Sequence, residues 1–159
     1  LDIVQKGTRL QQIEEAFAIA KELGIETWGF FLIGIPGEDR GTINDTIDFS
    51  IRLDPDIAKF HVLKPFPKSA VFEQLDSKGL IIDHDYAHYG IHTGPVHRLE
   101  TLSRDDLLDL QRQAYRRFYL RPSKIFKEII RLKSWNRLRL NARTGVSLIS
   151  ESIFRFDHG

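Results

Sequence analysis

The residues best suited to chemistry lie in the stretch GFFLIGIPGEDRGT, which spans residues 29–42. An apolar run leads into Gly34, and Pro36, Gly37 and Glu38 follow directly. Glycine lets the backbone turn sharply and lets a ligand approach the main chain closely. Three interpretations are open: a phosphate-binding loop, a purely structural turn, or the rim of a binding site at the end of a buried strand.

The phosphate-binding interpretation is disfavoured by the details of this stretch. Neither G-x-x-x-x-G-K-S/T nor G-x-G-x-x-G occurs in the chain. Pro36 also removes a backbone N–H that such a loop would donate to a phosphate. A structural turn and a binding-site rim both remain open, since tight reversals use glycine and proline and sites in α/β barrels lie at the carboxyl ends of strands.

A second group of potential ligands consists of histidines. His84, His88 and His92 recur every four residues, and His97 follows. On a helix the first three would share one face and suggest a metal site. Glycines and a proline in the same stretch argue against a helix, and the spacing fits no ligand motif. We therefore predict loop histidines and no metal site, and the role of the first three is left open.

The C-terminal third of the chain is strongly basic. Residues 111–143 carry eleven Lys and Arg and one acid, whereas residues 1–110 carry eleven Lys and Arg against nineteen acids. Packing of these cations on the acidic body is the favoured interpretation. Docking to an anionic membrane surface is the alternative, because Phe118, Tyr119, Phe126 and Trp135 lie among the charges. Nucleic-acid binding is disfavoured, since only charge and no recognition motif supports it.

The composition is that of a globular domain, with 42% apolar and 28% charged residues in 159. No apolar run is long enough to span a membrane, so we predict a cytoplasmic protein, with membrane association as the alternative. The chain has no cysteine, so it offers neither disulfides nor thiolate ligands. It also has no methionine and begins at Leu1, from which we expect a fragment or a processed chain.

Hydrophobic periodicity predicts alternating helices and strands in the first half of the chain. Thr8 and Gln11 form a predicted capping box for a helix that ends at Gly24. A strand over residues 26–33 is continuously apolar at its end, which is typical of a strand buried on both faces. A second helix begins near Glu38 or Asp39 and stops before residue 54. A strand over residues 57–63, an exit loop and a helix capped by Ser69 follow.

The second half of the chain is predicted to be irregular and then helical. Ser103 caps a helix with an apolar stripe, and Pro122 begins another, whose inward residues are predicted as Ile125, Ile129 and Leu132. The order of elements implies parallel strands joined by right-handed crossovers, in a barrel or a doubly wound sheet. We divide the chain into a unit of alternating helices and strands over residues 1–80, an irregular connection over 81–101, and a helical extension over 102–159.

Four matches, in the order expected for the family, give the chain a resemblance to radical S-adenosylmethionine enzymes; one of the four consists of two short stretches. FLIGIPGE, residues 31–38, is similar to the strand-five signature of that superfamily, an apolar strand ending in G-x-P-G-E. The stretches QKG and KELGI before it look like the segment that precedes this strand. FHVLKPFP, residues 60–67, resembles strand six with its exit, and FYLRP, residues 118–122, resembles a stretch found in cobalamin-binding members.

The resemblance implies a fold, cofactors and site residues. The fold is α/β: the C-terminal part of a partial (β/α) TIM-like barrel, followed by an α-helical extension. The cofactors are S-adenosylmethionine and a 4Fe–4S cluster whose cysteine ligands lie outside this chain, with cobalamin as a further cofactor. Glu38 is expected to cap its own helix. No catalytic residue or metal ligand is assigned, and the cofactor-binding residues are Gly34, Ile35, Pro36, Gly37, His61, Leu63 and Lys64.

The implied function is radical methylation or related chemistry at an unactivated carbon of a small-molecule substrate. The parent protein would be the enzyme, and the chain alone, lacking the cluster-binding CxxxCxxC motif, is expected to be inactive and to need the missing N-terminal half. Lys68-Ser69 also replaces the Gly-Thr usual in the strand-six exit. The rival is a non-catalytic module that binds nucleic acid or anionic membrane through its basic helices.

Overall fold

The computed structural model describes residues 9–90 and 93–131, which form an α/β unit. Its two strands are parallel neighbours, in a register that runs from Trp28 opposite Ile57 to Ile33 opposite Val62. The alternation of helix and strand predicted from periodicity is therefore confirmed. In chain order the elements are α1 (Leu10–Glu22), β1 (Trp28–Ile33), α2 (Arg40–Leu53), β2 (Ile57–Val62), α3 (Ala70–Ser77), a 3₁₀ turn (Tyr86–Tyr89), α4 (Arg104–Tyr119) and α5 (Pro122–Arg131).

The core lies between one face of the sheet and the helices α2 and α4. Phe31, Ile33, Ala58 and Phe60 point from the strands into this layer, and α2 and α4 supply the opposing apolar side chains. The stripe predicted for α4 is confirmed, since its four members are fully buried: Leu107, Leu110, Ala114 and Phe118. A closed or partial barrel remains a prediction, because the described residues contain only this two-stranded sheet.

The prediction that β1 is buried on both faces does not hold within the described residues. Burial alternates along the strand, and Trp28, Phe30 and Leu32 are 50%, 67% and 39% exposed. Successive side chains of a strand point to opposite faces, and α2 and α4 cover only one of them. The sheet therefore presents an open aromatic face within the described residues.

Side chains of α4 occupy the outer edge of β2. The Tyr119 hydroxyl accepts from the Ala58 N–H at 3.0 Å and donates to the Ala58 carbonyl at 2.9 Å. The Tyr115 hydroxyl accepts from the Phe60 N–H at 3.1 Å, and Gln111 donates to the Phe60 carbonyl at 2.8 Å. The three side chains recur every four residues and so follow one helix face. They satisfy the backbone groups that a further strand would need on this edge.

The starts of α3 and α4 follow the sequence signals, whereas the cap of α1 differs from the prediction. Ser69 and Ser103 cap α3 and α4 as predicted. The cap of α1 is Arg9, whose N–H donates to the Gln12 side chain at 2.9 Å, rather than the predicted Thr8, which lies outside the described residues. Gln11 instead bonds Glu15 one turn on, because it lies on the exposed side of the helix.

Helix α5 buries a different face from the one predicted. Ile125 and Ile129 are 45% and 61% exposed, whereas Lys124 is 5% exposed. Lys124 points inward because its ammonium donates to the Pro55 carbonyl at 3.0 Å and the Asp56 carbonyl at 2.8 Å. Leu132 and the helical region predicted after it lie outside the described residues.

Candidate functional site at the carboxyl ends of the strands

The turn after β1 is a tight reversal with two glycines at positive φ. Gly34 has a φ of 79° and Gly37 one of 89°. A Cβ atom on Gly34 would lie 3.1 Å from the Val62 side chain and 3.5 Å from His97, whereas one on Gly37 would meet nothing within 4 Å. Gly34 is therefore required by both the backbone and the packing. Gly37 is required by the backbone alone, and it borders open space.

Both sides of one peptide group in this turn are held by side chains. The Gly34 carbonyl accepts from His97 Nε2 at 2.8 Å. The Ile35 N–H, on the other side of the same peptide bond, donates to Glu38 Oε2 at 2.9 Å. The Glu38 N–H returns a bond to the Ile35 carbonyl at 3.0 Å. The turn is thus fixed by Glu38, which lies within it, and by His97, which lies far along the chain.

The expectation that Glu38 caps its own helix is wrong. Asp39 is the N-cap of α2, and its carboxylate accepts from the Thr42 N–H at 2.8 Å. Glu38 folds back over the turn instead and accepts from the Ile35 N–H, which lies beyond the end of β1. Burial raises the pKa of Glu38 above 4.5, against the lowering effect of the N–H groups of Ile35 and Gly34.

The second part of the candidate site is the end of β2. A cleft of about 370 Å³ opens there, between the open face of the sheet and the connecting segment that we define as residues 80–90 and 93–101. The His61 ring stacks on Phe30 with centroids 6.4 Å apart, and Phe30 stacks on Trp28 at 6.3 Å. The walls are predominantly apolar, as in many small-molecule sites. They are formed by Leu32, His61, Val62, Leu63, Lys64, Phe66, Tyr89, Thr93, Pro95 and Gln111.

Lys64 is the cation of this cleft. Its ammonium donates to the Thr93 hydroxyl at 2.9 Å, to the His88 carbonyl at 3.1 Å and to the Gly94 carbonyl. Burial and the nearby charge of Arg104 lower the pKa of Lys64 to about 8. All three donors bind oxygens of the connecting segment, so Lys64 joins that segment to the end of β2.

The structure divides the predicted site residues between two neighbouring cavities. His61, Leu63 and Lys64 line the large cleft. Pro36 and Gly37 line a smaller cavity of about 160 Å³, on the side of the turn that faces α3. The two groups adjoin, because the Leu63 N–H donates to the Ile33 carbonyl at 2.8 Å. Gly34 and Ile35 lie at this junction, with Gly34 buried and Ile35 half-buried.

Sequence reasoning missed the residues that the connecting segment brings to the site. His97, Tyr89 and Thr93 lie far along the chain from both strands, and no periodicity marks them. Their only signal was the concentration of His, Tyr and Thr in an irregular stretch. Gln111 was missed because it lies on a helix that was interpreted as packing alone.

The loop histidines are engaged with carboxylates. His84 Nε2 lies 3.1 Å from Asp76, and His88 Nδ1 lies 2.7 Å from Asp83. Within residues 9–90 and 93–131, no cluster of three or more potential metal-ligating side chains occurs. His92 lies outside the described residues.

Four cations of the basic segment, Arg117, Arg121, Lys124 and Lys127, contact the acidic body, as the packing interpretation expects. Arg121 donates to Asp54 at 2.6 Å and to the Ile51 carbonyl at 2.9 Å. Arg117 and Lys127 pair with Asp48 and Asp54. None of the helices in the described ranges is both long and apolar enough to span a bilayer. Binding to a membrane surface or to nucleic acid remains a prediction to be tested.

Comparison with known proteins gives relatives that cover most of this chain. It is 33% identical over 129 residues to an uncharacterized methyltransferase of Pyrococcus horikoshii, across 81% of this chain and 28% of the relative. It is 31% and 30% identical to anaerobic magnesium-protoporphyrin IX monomethyl ester cyclases of Rubrivivax gelatinosus and Cereibacter sphaeroides, across 76% and 77% of this chain and 21% and 20% of those proteins. No family model matches.

The relatives bear directly on the resemblance drawn from the sequence motifs. They carry the names of enzymes, a methyltransferase and two cyclases, which supports an enzyme as the parent of this chain. The chain spans between 20% and 28% of the length of these curated relatives. Their similarity extends over more than three quarters of this chain and confirms the assignment: the chain belongs to the radical S-adenosylmethionine enzyme superfamily.

Proposed function

We propose that this chain supplies the S-adenosylmethionine-facing end of a radical enzyme that methylates or otherwise modifies an unactivated carbon, with cobalamin as a further cofactor. The observation that carries the proposal is the junction of the Gly34–Gly37 turn with the cleft at the end of β2. The turn follows β1 and the cleft lies at the end of β2, so both are at the carboxyl-terminal end of the parallel strands. Ligand sites of α/β folds lie at this end of the sheet.

The residues present fit S-adenosylmethionine. Gly37 borders open space, so a ligand can approach its backbone without meeting a side chain. The exposed ring of Phe30, the half-buried ring of His61 and the apolar walls of the cleft suit a flat heteroaromatic base. S-adenosylmethionine, when bound and reductively cleaved, supplies a 5′-deoxyadenosyl radical. The contribution of this chain is to bind and orient that cofactor and to limit access of water.

The same residues do not fit an iron–sulfur cluster. Such clusters are held by cysteine thiolates, and the chain has no cysteine. The proposal therefore places the cluster ligands, and with them the cobalamin site, on parts of the parent protein outside these 159 residues. The names of the relatives point to methyl transfer or ring closure as the reaction.

The test compares two glycine substitutions in the full-length parent enzyme. Gly37 and Gly24 both have positive φ, at 89° and 68°, and a Cβ atom on either would meet nothing within 4 Å. Gly37→Ala and Gly24→Ala should therefore impose similar backbone strain, about 1 kcal/mol each. Only Gly37→Ala places a methyl group at the proposed cofactor surface, so it alone should weaken S-adenosylmethionine binding.

Equilibrium binding by the anaerobically reconstituted enzyme, together with 5′-deoxyadenosine formation, gives the readout. The proposal expects roughly tenfold weaker binding for Gly37→Ala, equivalent to about 1.4 kcal/mol, and unchanged binding for Gly24→Ala. Equal affinities in two equally stable variants would reduce Gly37 to a turn residue. Failure of the wild-type enzyme to bind S-adenosylmethionine would refute the proposed function itself.

A further inference from the structure

His97 is the most unusual polar residue in the described part of the chain. It is fully buried, and its Nδ1 has no hydrogen-bond partner among the described residues. Its Nε2 lies 2.8 Å from the Gly34 carbonyl, 63 positions earlier in the sequence. A carbonyl oxygen can only accept, so Nε2 carries the proton and Nδ1 is the unprotonated nitrogen. Burial lowers the pKa of His97 below 6.5, in keeping with this neutral form.

Packing alone would not select this side chain. An apolar residue of similar volume would fill the space without burying a nitrogen that lacks a partner. What the imidazole adds is the bond to Gly34. Gly34 lies just beyond the last paired residue of β1, Ile33, so its carbonyl is outside the ladder between β1 and β2.

The position of His97 is itself firmly set. It pairs with Ile81 in an antiparallel bridge. On either side, the Ile82 N–H donates to the Val96 carbonyl at 2.9 Å, and the Arg98 N–H donates to the Leu80 carbonyl at 2.9 Å. The imidazole is thus presented to the turn from a fixed backbone rather than from a free loop.

We propose that His97 is a positioning residue for S-adenosylmethionine binding, because it holds the Gly34–Ile35 peptide in one orientation while Glu38 holds the other side of the same peptide. The proposal rests on the function proposed above. With both bonds in place, the backbone of the turn presents a single conformation to the ligand. Without the imidazole, the carbonyl loses its partner and only the Glu38 bond holds the peptide. The peptide is then less well ordered, so part of the binding energy is spent on ordering it.

The test uses three substitutions in the full-length enzyme. His97→Leu keeps the volume and removes the donor. His97→Gln carries an amide donor at about the reach of Nε2, and His97→Asn falls short of it. His84→Leu is the control, since it removes an exposed imidazole from the same connecting segment without touching the turn. Thermal melts and equilibrium binding of S-adenosylmethionine are measured for each.

The proposal expects His97→Leu and His97→Asn to weaken binding about tenfold, His97→Gln to restore it to within a factor of about three, and His84→Leu to bind as the wild type does. Comparable affinity of the folded His97→Leu and wild-type enzymes would overturn the role of His97 and leave the proposed function standing. If His97→Leu does not fold, the Gln and Asn variants decide, and equal affinities of these two would overturn it. A wild-type enzyme that does not bind the cofactor would refute both proposals.

Discussion

Replacement of Asp54 by Asn tests whether the basic C-terminal helices are anchored to the body of the protein. Asp54 terminates α2 in a left-handed conformation, with a φ of 47°. One carboxylate oxygen accepts from Arg121 at 2.6 Å, and the other accepts from Lys127 and lies 3.6 Å from Lys21. Asparagine tolerates the left-handed conformation, so the substitution removes the charge and leaves the backbone unstrained.

The magnitude follows from the burial of each pair. Asp54 and Arg121 are 18% and 15% exposed at their side chains, so their charged hydrogen bond should contribute about 1.5–3 kcal/mol. Lys127 is 62% exposed, and its pair should add under about 1 kcal/mol. Arg121 keeps its bonds to the carbonyls of Ile51 and Phe118, which limits the loss. We expect Asp54→Asn to lower the free energy of unfolding by about 2 kcal/mol.

Urea unfolding is the assay, and Asp48→Asn is the matched control. Asp48 lies on the same helix and pairs with Arg117, but both partners are more exposed, at 51% and 35%. Asp48→Asn should therefore lower the free energy of unfolding by less than about 1 kcal/mol, and most of this difference should disappear at high salt. Burial alone would raise the pKa of Asp54, but the bonds from Lys127 and Arg121 bring it below 3.8. The Asp54 contribution should therefore persist above pH 4 and disappear as the pH falls through that lowered pKa.

A loss for Asp54→Asn no larger than that for Asp48→Asn would refute this reasoning. It would mean that the contacts of Arg121 and Lys127 do not hold α5 against the body. The cations would then be available to an outside partner, and the membrane and nucleic-acid alternatives would gain support.

Four further predictions concern stability, cluster binding and membrane binding. Tyr119→Phe should destabilise the protein by about 1–3 kcal/mol in urea, since it leaves backbone groups of Ala58 without partners, whereas Tyr86→Phe, at an exposed ring, should not. The free energy of unfolding should fall as the pH drops below about 6.5. Burial, and to a smaller extent the charge of Lys64, lowers the pKa of His97 in the folded protein, so the unfolded chain binds the proton more readily. His97→Gln should remove this pH dependence. Anaerobic reconstitution of the 159-residue chain with iron and sulfide should give a colourless protein, and stoichiometric visible absorbance would contradict the absence of thiolate ligands. Co-sedimentation should show no salt-sensitive binding to anionic vesicles, and such binding would favour membrane docking over packing.

The sequence by itself determined the local elements of this protein. Apolar spacing located α2 and α4, and short polar side chains at Ser69 and Ser103 marked where helices begin. These signals act over three or four residues, through hydrogen bonds and helix periodicity. The glycine-rich turn could also be predicted from the sequence, because Gly34 and Gly37 adopt positive φ values that other residues rarely tolerate.

Tertiary structure decided what lies around that turn. No residue near Gly34 in the sequence indicates that His97 donates to the Gly34 carbonyl. In the same way, the sequence does not indicate that Tyr115 and Tyr119 bind the backbone groups at the edge of β2. The same holds for β1, whose apolar run looks alike whether one or both of its faces are covered, and for α5, whose Lys124 turns inward toward two carbonyls. In each case the deciding interaction joins residues distant along the chain, and its free energy depends on burial and direction that only the folded arrangement sets.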